Sequence, residues 1–339
     1  MRPKIFVVQP IPEVALDIMR EVADVTVYPY TDRQIAVDVL VANAKRADYL
    51  FVMHETSVPA EVINANPDLK GIGAMGGDTA LIDFAAANAR KLPIVCADRT
   101  RTKGGGTWKA TADLTMAMIL NLAYRVVEAD RYTRAGRFRQ EQNMDLMGIG
   151  VMERTCGILG LGRVGEHLVR RAKAFDMDVI YTKRTRFPEE HEKELGVEWV
   201  DDKDEVLRRS DFVCVLVDYN PTTENYIGAR ELALMKPTAF LLNTGRAWTV
   251  NQEALIAALQ NGTIAGAGLD VYWDEPPKTH DPHAPEVLYK MDNVVLTPHN
   301  GGGIWINRNS TTSMIAEGLV ALIKGERPET MVNPEVLVT

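Results

Sequence analysis

The 339-residue chain sets 38 Lys and Arg against 46 Asp and Glu, and its net charge of −8 argues against a surface built to hold nucleic acid. Its 46% hydrophobic and 25% charged residues are those of a globular protein long enough for two cores. No apolar stretch approaches a membrane span, and Cys96, Cys156 and Cys214 form no C-x-x-C pair, a reduced, structural usage that predicts the cytoplasm.

The apolar run at residues 5–8 stops at Gln9-Pro10, too short for a signal sequence, and reads as a first strand. Strand patterns recur at 25–28, 49–53, 71–75 and 94–96, with helix patterns such as 14–22 and 35–45 between them. This alternation is α/β, without a dinucleotide glycine fingerprint of its own. A helix pattern over about 109–125 follows, apolar nearly all round through Leu114, Met116, Met118, Ile119 and Leu122. Such a helix must be buried on several sides. Linking two domains and packing on a second subunit would both meet that demand, so a homodimer is expected.

A second α/β unit begins at Thr155 and runs to about Pro298. The run Cys156-Gly157-Ile158-Leu159 leads into Gly160-Leu161-Gly162-Arg163-Val164-Gly165, which opens a helix pattern with Val164, Leu168, Ala172 and Phe175 on one face. A strand pattern at 178–181 follows. In this context the first glycine permits a tight turn out of the strand. The second lets backbone N–H groups approach a pyrophosphate, and the third lets helix and strand pack closely. The helix N-terminus then offers unpaired donors to the anion.

After the next strand an acidic residue usually accepts hydrogen bonds from the ribose of NAD. This chain instead places Lys183, Arg184 and Thr185 there, two cations and a hydroxyl suited to the 2′-phosphate of NADP. NADP(H) is therefore the preferred cofactor, with NAD(H) possible. Further strand patterns at 212–217, 239–243, 267–271 and 294–297 alternate with helices such as 253–260, as in a doubly wound parallel sheet. A last helix pattern covers 304–324. Three later segments place polar residues at strand ends, where open α/β sheets bind ligands. They are Asn243-Thr244-Gly245-Arg246, the stretch from Gly268 through Asp270 and Glu275 to Pro276, and Thr297-Pro298-His299-Asn300-Gly301-Gly302.

With Ala110-Thr111-Ala112-Asp113-Leu114 and Met235-Lys236-Pro237-Thr238-Ala239, these segments closely resemble the D-isomer-specific 2-hydroxyacid dehydrogenases over nearly the whole chain. Within that family the chain most resembles the glyoxylate/hydroxypyruvate reductases. The resemblance implies two Rossmann-like doubly wound α/β domains with an active-site cleft between them. A flavodoxin-like substrate domain would take 1–110 plus 300–339, and a Rossmann NAD(P)-binding domain 111–299. The implied reaction is hydride transfer between the nicotinamide and a 2-oxo acid/D-2-hydroxy acid pair, with no metal.

By the same resemblance, His299 is the general acid of reduction and the base of the reverse reaction. An imidazole suits both roles, because its ordinary pKa of about 6.5 lets it exchange protons near neutrality. Glu275 is expected to hydrogen-bond the other ring nitrogen, and Arg246 to hold the substrate carboxylate and polarise the carbonyl. Cofactor contacts are implied at Thr111, Gly160, Gly162, Arg163, Val164, Gly165, Lys183, Arg184, Thr185, Asn220, Thr244, Gly245, Asp270 and His299, with Asp270 on the carboxamide. The substrate carboxylate is implied to meet backbone N–H groups at Gly76, Gly77 and Asp78, alongside Arg246 and His299.

Three departures from the family stand out. Asp78 replaces a usual Gly, where a carboxylate would repel an acidic substrate unless paired or turned away. The connection from Ala97 to Ala110 is longer and more basic than the family norm and carries Gly104-Gly105-Gly106, which suggests a lid that contacts substrate. Trp248 and Trp305 are bulkier than expected and could wall a pocket or pack an interface. His54, His167, His191, His280 and His283 lack matching context and read as structural or surface residues, with His54 able to face the cleft. The competing readings are a dinucleotide-sensing, corepressor-like binding protein and a phosphite- or formate-type dehydrogenase. Formate dehydrogenases resemble this family but carry Gln where Glu275 stands.

Overall fold

The structure, a computed structural model, describes residues 2–75, 81–98, 106–275 and 284–337. The chain divides into two units, Met1–Gly106 with Trp305–Thr339, and Thr107–Ile304.

The first unit alternates β1 (Lys4–Val7), α1 (Glu13–Arg20), β2 (Asp24–Val27), α2 (Val37–Ala44), β3 (Tyr49–Val52), α3 (Ala60–Asn64), β4 (Gly71–Ala74), α4 (Phe84–Ala89) and β5 (Ile94–Cys96). All five strands are parallel, in the order β2-β1-β3-β4-β5. That is the flavodoxin-like order, with its switch point between β1 and β3. Strands β3, β4 and β5 are buried throughout, as a parallel sheet covered on both faces requires, whereas edge strand β2 alternates between exposed and half-buried residues.

The C-terminal helix, Trp305–Lys324, returns to this sheet and adds Ile315, Ala316 and Leu319 to its core. Glycines in β4 make room for it. A Cβ on Gly73 would meet Ile315 Cγ2 at 2.6 Å, and one on Gly71 would meet Leu322 Cδ1 at 2.9 Å. Later strand residues thus face earlier helix residues, so the helix runs antiparallel to β4. Its first turn therefore lies at the carboxyl end of that strand.

The second unit opens with α5 (Gly106–Tyr124) and α6 (Val126–Arg134). Then follow β6 (Thr155–Leu159), α7 (Arg163–Ala174), β7 (Asp178–Thr182), α8 (Glu189–Leu195), β8 (Glu198–Trp199), α9 (Lys203–Arg209) and β9 (Phe212–Val215). The unit closes with α10 (Ala229–Leu234), β10 (Phe240–Asn243), α11 (Gln252–Gln260), β11 (Gly266–Leu269), α12 (Glu286–Tyr289) and β12 (Val294–Leu296). Its seven parallel strands run β12-β11-β10-β9-β6-β7-β8, the Rossmann order extended by one strand. Separate apolar clusters cover the sheet's two faces, one built with Val206, Leu232 and Leu255, the other with α5 and α7.

Two boundaries differ from expectation. Residues 107–110 fall in the second unit with the rest of the helix Gly106–Tyr124, all of which but its first residue lies there. Residues 300–304 stay there too, because the Asn300 and Gly301 N–H groups are fastened to Asp270 at 2.7 and 2.8 Å. Phe175 is a correction to the expected apolar face of α7. The helix ends at Ala174, and Phe175, its C-cap, is 41% exposed rather than packed with Leu168 and Ala172. Helix α5 buries Ala112, Met116, Met118, Ile119 and Leu122, yet within this chain it leaves Asp113, Ala117 and Tyr124 exposed. No helix among the described residues is long and apolar enough to cross a membrane.

Candidate active site

The fingerprint occupies the switch point of the second sheet, where β6 lies between β7 and β9. Gly160 turns the chain out of β6 with φ +90°, a conformation that L side chains rarely adopt, and a Cβ there would meet Val217 N at 2.7 Å. A Cβ on Gly162 would meet nothing within 4 Å, so the chain is bare on that side. Gly165 is buried on α7, where a Cβ would come within 2.6 Å of Leu161 Cδ1. No side chain caps the N-terminus of α7, so its first N–H groups are available to an anion. Val164 is half-buried beside them, while the Arg163 guanidinium lies 4.3 Å from the Trp108 ring centroid. A turn demanding glycine, open space above Gly162 and an uncapped helix start together fit a dinucleotide pyrophosphate.

Lys183 is the first residue past β7. It is half-buried, with its Nζ 3.5 Å from the Phe187 ring centroid, and burial pulls its pKa down against the charge of Glu166. Arg184 and Thr185 beside it are exposed. Asn220, past β9, closes a small turn in which its Oδ1 accepts from Thr222 N at 2.9 Å.

At the end of β10 the chain is tied from several sides. Asn243 Oδ1 accepts from Gly245 N at 3.1 Å, and its Nδ2 donates to Arg246 O at 3.0 Å. Thr244 Oγ1 lies 2.8 Å from Thr115 Oγ1, linking this loop to α5, while Thr111 Oγ1 on the same helix donates to Thr107 O. The Arg246 side chain is exposed, with Nη1 donating to Gly245 O at 2.9 Å. Among the described residues the rest of its donor fork has no acceptor.

His299 and Glu275 come together as expected, with Nδ1 2.6 Å from Glu275 Oε2. The other Glu275 oxygen accepts from Tyr272 N at 3.1 Å, so the carboxylate is held in place. The Glu275 hydrogen bond raises the His299 pKa above the ordinary imidazole value, against burial, and the charge of Asp270 adds to the rise while Arg246 opposes it. The imidazole retains 46% of its side-chain exposure, against 18% for Glu275, so Nε2 is the ring nitrogen left for chemistry.

The His299 backbone sits at φ +50°, a left-handed value that costs a non-glycine residue about 1–3 kcal/mol. Asp270 holds it there. Its Oδ1 accepts from Thr297 Oγ1 at 2.5 Å and Asn300 N at 2.7 Å, and its Oδ2 from Gly301 N at 2.8 Å. A carboxylate has about four acceptor positions, so one on Oδ2 is left over. Tyr272 adds a second brace, its hydroxyl donating to Thr297 O at 2.8 Å. Gly301 lets the loop pass close, since a Cβ would stand 3.0 Å from both Asp270 Oδ2 and Thr111 Oγ1.

Gly76, Gly77 and Asp78 lie outside the described residues, as do residues 99–105 of the basic connection, His280 and His283. Trp248 packs on Tyr219 with ring centroids 5.4 Å apart, and Trp305 is 77% exposed. His54 is set 2.9 Å from Glu55, His191 stands between Glu166 and Glu194, and burial together with Arg170 and Arg171 lowers the His167 pKa. Sequence reasoning missed Tyr272, Thr297 and Thr115 as supports. Their work is done by hydrogen bonds between loops far apart in the chain, and only the position of Tyr272 and Thr297 inside the quoted segments hinted at it. Among the described residues no cluster of three or more His, Cys, Asp or Glu is arranged to hold a metal.

The family model for the D-isomer specific 2-hydroxyacid dehydrogenase NAD binding domain matches residues 116–301. A glyoxylate reductase of Thermococcus onnurineus (strain NA1) is 38% identical over 343 residues, covering 99% of this chain and 98% of the relative. The chain belongs to that family. A crystal structure of a Thermus thermophilus protein superposes with a TM-score of 0.81 at 32% identity, over 97% of this chain and 99% of that one. The NADPH-dependent glyoxylate/hydroxypyruvate reductase of Sinorhizobium meliloti, solved with NADP and malonate, gives 0.73 at 27% identity over 98% of each chain. The second unit is a nicotinamide dinucleotide-binding domain, and the family reaction is NAD(P)-dependent hydride transfer with a small oxo or hydroxy acid.

Proposed function

We propose that the chain is an NADPH-preferring reductase of 2-oxo acids that yields D-2-hydroxy acids, with His299 as the acid. The observation that carries this reading is the 2.6 Å contact of His299 Nδ1 with Glu275, on a loop fastened by Asp270. A nicotinamide dinucleotide held at the α7 N-terminus would supply the hydride for the carbonyl carbon. His299 gives the Nε2 proton to the carbonyl oxygen, while Glu275 keeps Nδ1 protonated and steadies the ring. Arg246 holds the substrate carboxylate through its free donors and draws charge from the carbonyl. The α7 N-terminus with Gly160, Gly162 and Gly165 would hold the pyrophosphate, and the spare acceptor position on Asp270 would take the carboxamide N–H. Thr111, Arg163, Val164, Asn220, Thr244 and Gly245 complete that side, and backbone at Gly76, Gly77 and Asp78 the carboxylate side.

NADPH preference rests on Lys183 and Arg184, which stand at the ribose position without a described carboxylate in ion-pair reach. A charge-assisted hydrogen bond contributes about 1.5–3 kcal/mol, so Lys183→Asp should cut the NADPH-to-NADH ratio of kcat/KM by about 10- to 150-fold. Steady-state kinetics with glyoxylate and each cofactor checks this, and a wild type that already prefers NADH would refute the preference.

A homodimer is the proposed assembly. Between residues 124 and 152 the chain exposes Tyr124, Val126, Phe138, Met144, Met147 and Met152, the last at 65% and Met144 at 81%. So many large apolar side chains in one stretch favour coverage by a second copy. Sedimentation equilibrium should give twice the chain mass, and a monomer at micromolar concentration would contradict it.

A further inference from the structure

Three cations crowd the turn after β7, which reads Lys183-Arg184-Thr185-Arg186-Phe187. They are not equivalent. Arg186 is engaged by Glu192 of α8, with Nε donating to Oε1 at 2.9 Å and Nη2 to Oε2 at 2.7 Å. A planar guanidinium seated on a carboxylate in this way has used the fork that a phosphate would need. Glu192 is 6% exposed and also accepts from the Tyr181 hydroxyl at 2.7 Å. Hydrogen bonds from Arg186 and then Tyr181 hold its pKa down at about 2, so it is ionised near neutrality. The Tyr181 oxygen accepts in turn from Phe187 N at 3.2 Å. The far end of the turn is therefore latched back onto the strand it leaves.

The latch sets the Phe187 ring. Its centroid lies 5.8 Å from that of Tyr181 and 4.8 Å from that of His191, which meets it edge-on at 88°. Lys183 Nζ rests 3.5 Å from the centroid of the same ring. An ammonium over an aromatic face is attracted by the ring's quadrupole. Among the described residues no carboxylate forms an ion pair with Lys183, and Glu166 acts on it only through charge, so the ring is what holds the ammonium. Lysine is a flexible side chain, and ordering it on binding costs part of the affinity it supplies. A ring that holds the ammonium before the ligand arrives removes much of that cost.

We infer that Phe187 is a positioning residue for the cofactor's 2′-phosphate, holding Lys183 in place on a turn latched by Tyr181, Glu192 and Arg186. This rests on the NADPH-preferring reading. It also divides the cations, leaving Lys183 and Arg184 for the phosphate while Arg186 serves the latch.

The test measures Kd for NADP+ and for NAD+ by calorimetry on the full-length wild type and on Phe187→Leu, Phe187→Tyr and Glu192→Gln. Wild type should bind NADP+ more tightly. Phe187→Leu should lower the NAD+-to-NADP+ ratio of Kd by about 3- to 10-fold, the effect of leaving one lysine unordered. Phe187→Tyr keeps an aromatic face and should restore most of the preference. In a Lys183→Met background, Phe187→Leu should have no further effect, because the ring acts through the ammonium. A ratio unchanged in Phe187→Leu, or one that still falls in the Lys183→Met background, overturns this inference while the NADPH preference stands. Equal weakening of both nucleotides does the same, since it marks a ring that only supports the fold. If Phe187→Leu does not fold, Glu192→Gln decides the matter in the same way by loosening the latch. A wild type that binds NAD+ as tightly as NADP+ overturns the preference beneath it.

Discussion

His299→Gln is expected to lower kcat for 2-oxo acid reduction by about 10²- to 10⁴-fold, the usual contribution of a positioned general acid. Glutamine keeps a hydrogen-bonding amide in the same volume, so the loop clamped by Asp270 should survive and KM should change little. The pH dependence gives a finer signature. Reduction needs the imidazolium, so activity should hold at low pH and fall as pH rises through the His299 pKa. Glu275 raises that pKa, and its hydrogen bond is the largest cause of the shift. In Glu275→Gln the burial of the ring remains while the carboxylate charge is gone. The fall should therefore begin at lower pH than in wild type, and an unmoved or upward-shifted profile would show that Glu275 does not act through the imidazole.

Arg246→Leu is expected to reduce kcat/KM by about 30- to 5,000-fold, corresponding to the roughly 2–5 kcal/mol lost when one partner of a desolvated charge pair is truncated. The substrate carboxylate would then face an apolar side chain. Arg246→Lys should recover only part of the loss, because an ammonium lacks the planar fork that matches two carboxylate oxygens. Arg246 also opposes the rise of the His299 pKa. Its removal should therefore shift the basic limb of the pH profile upward, opposite in sign to Glu275→Gln. A drop in activity without that opposite shift would place Arg246 away from the reacting centre.

Much of this site was legible because its signals are local. Gly160 is needed by a turn at φ +90°, and Thr297-Pro298-His299 follows directly on a strand, so residue types and spacing carry the information. The strand cores were equally plain, since parallel strands buried on both faces read as continuous apolar runs. Helix ends were less so. Phe175 continues the apolar period of α7, and nothing local announces that the helix stops one residue earlier. Helix α6 buries no residue and so offered no core-facing stripe to read. Supports such as Tyr272 to Thr297 and Thr115 to Thr244 join loops distant in sequence. Asn307 is legible only in three dimensions, because a polar residue on a helix reads as solvent-facing until its burial is known.

The most direct measurement is steady-state oxidation of NADPH and of NADH by the purified wild type, with glyoxylate, hydroxypyruvate and 2-ketogluconate as acceptors and His299→Gln as control. Turnover of at least one acid, faster with NADPH and nearly abolished in His299→Gln, is the predicted result. No turnover of any acid with either cofactor, despite dinucleotide binding, would contradict the reductase assignment and favour a dinucleotide-sensing protein.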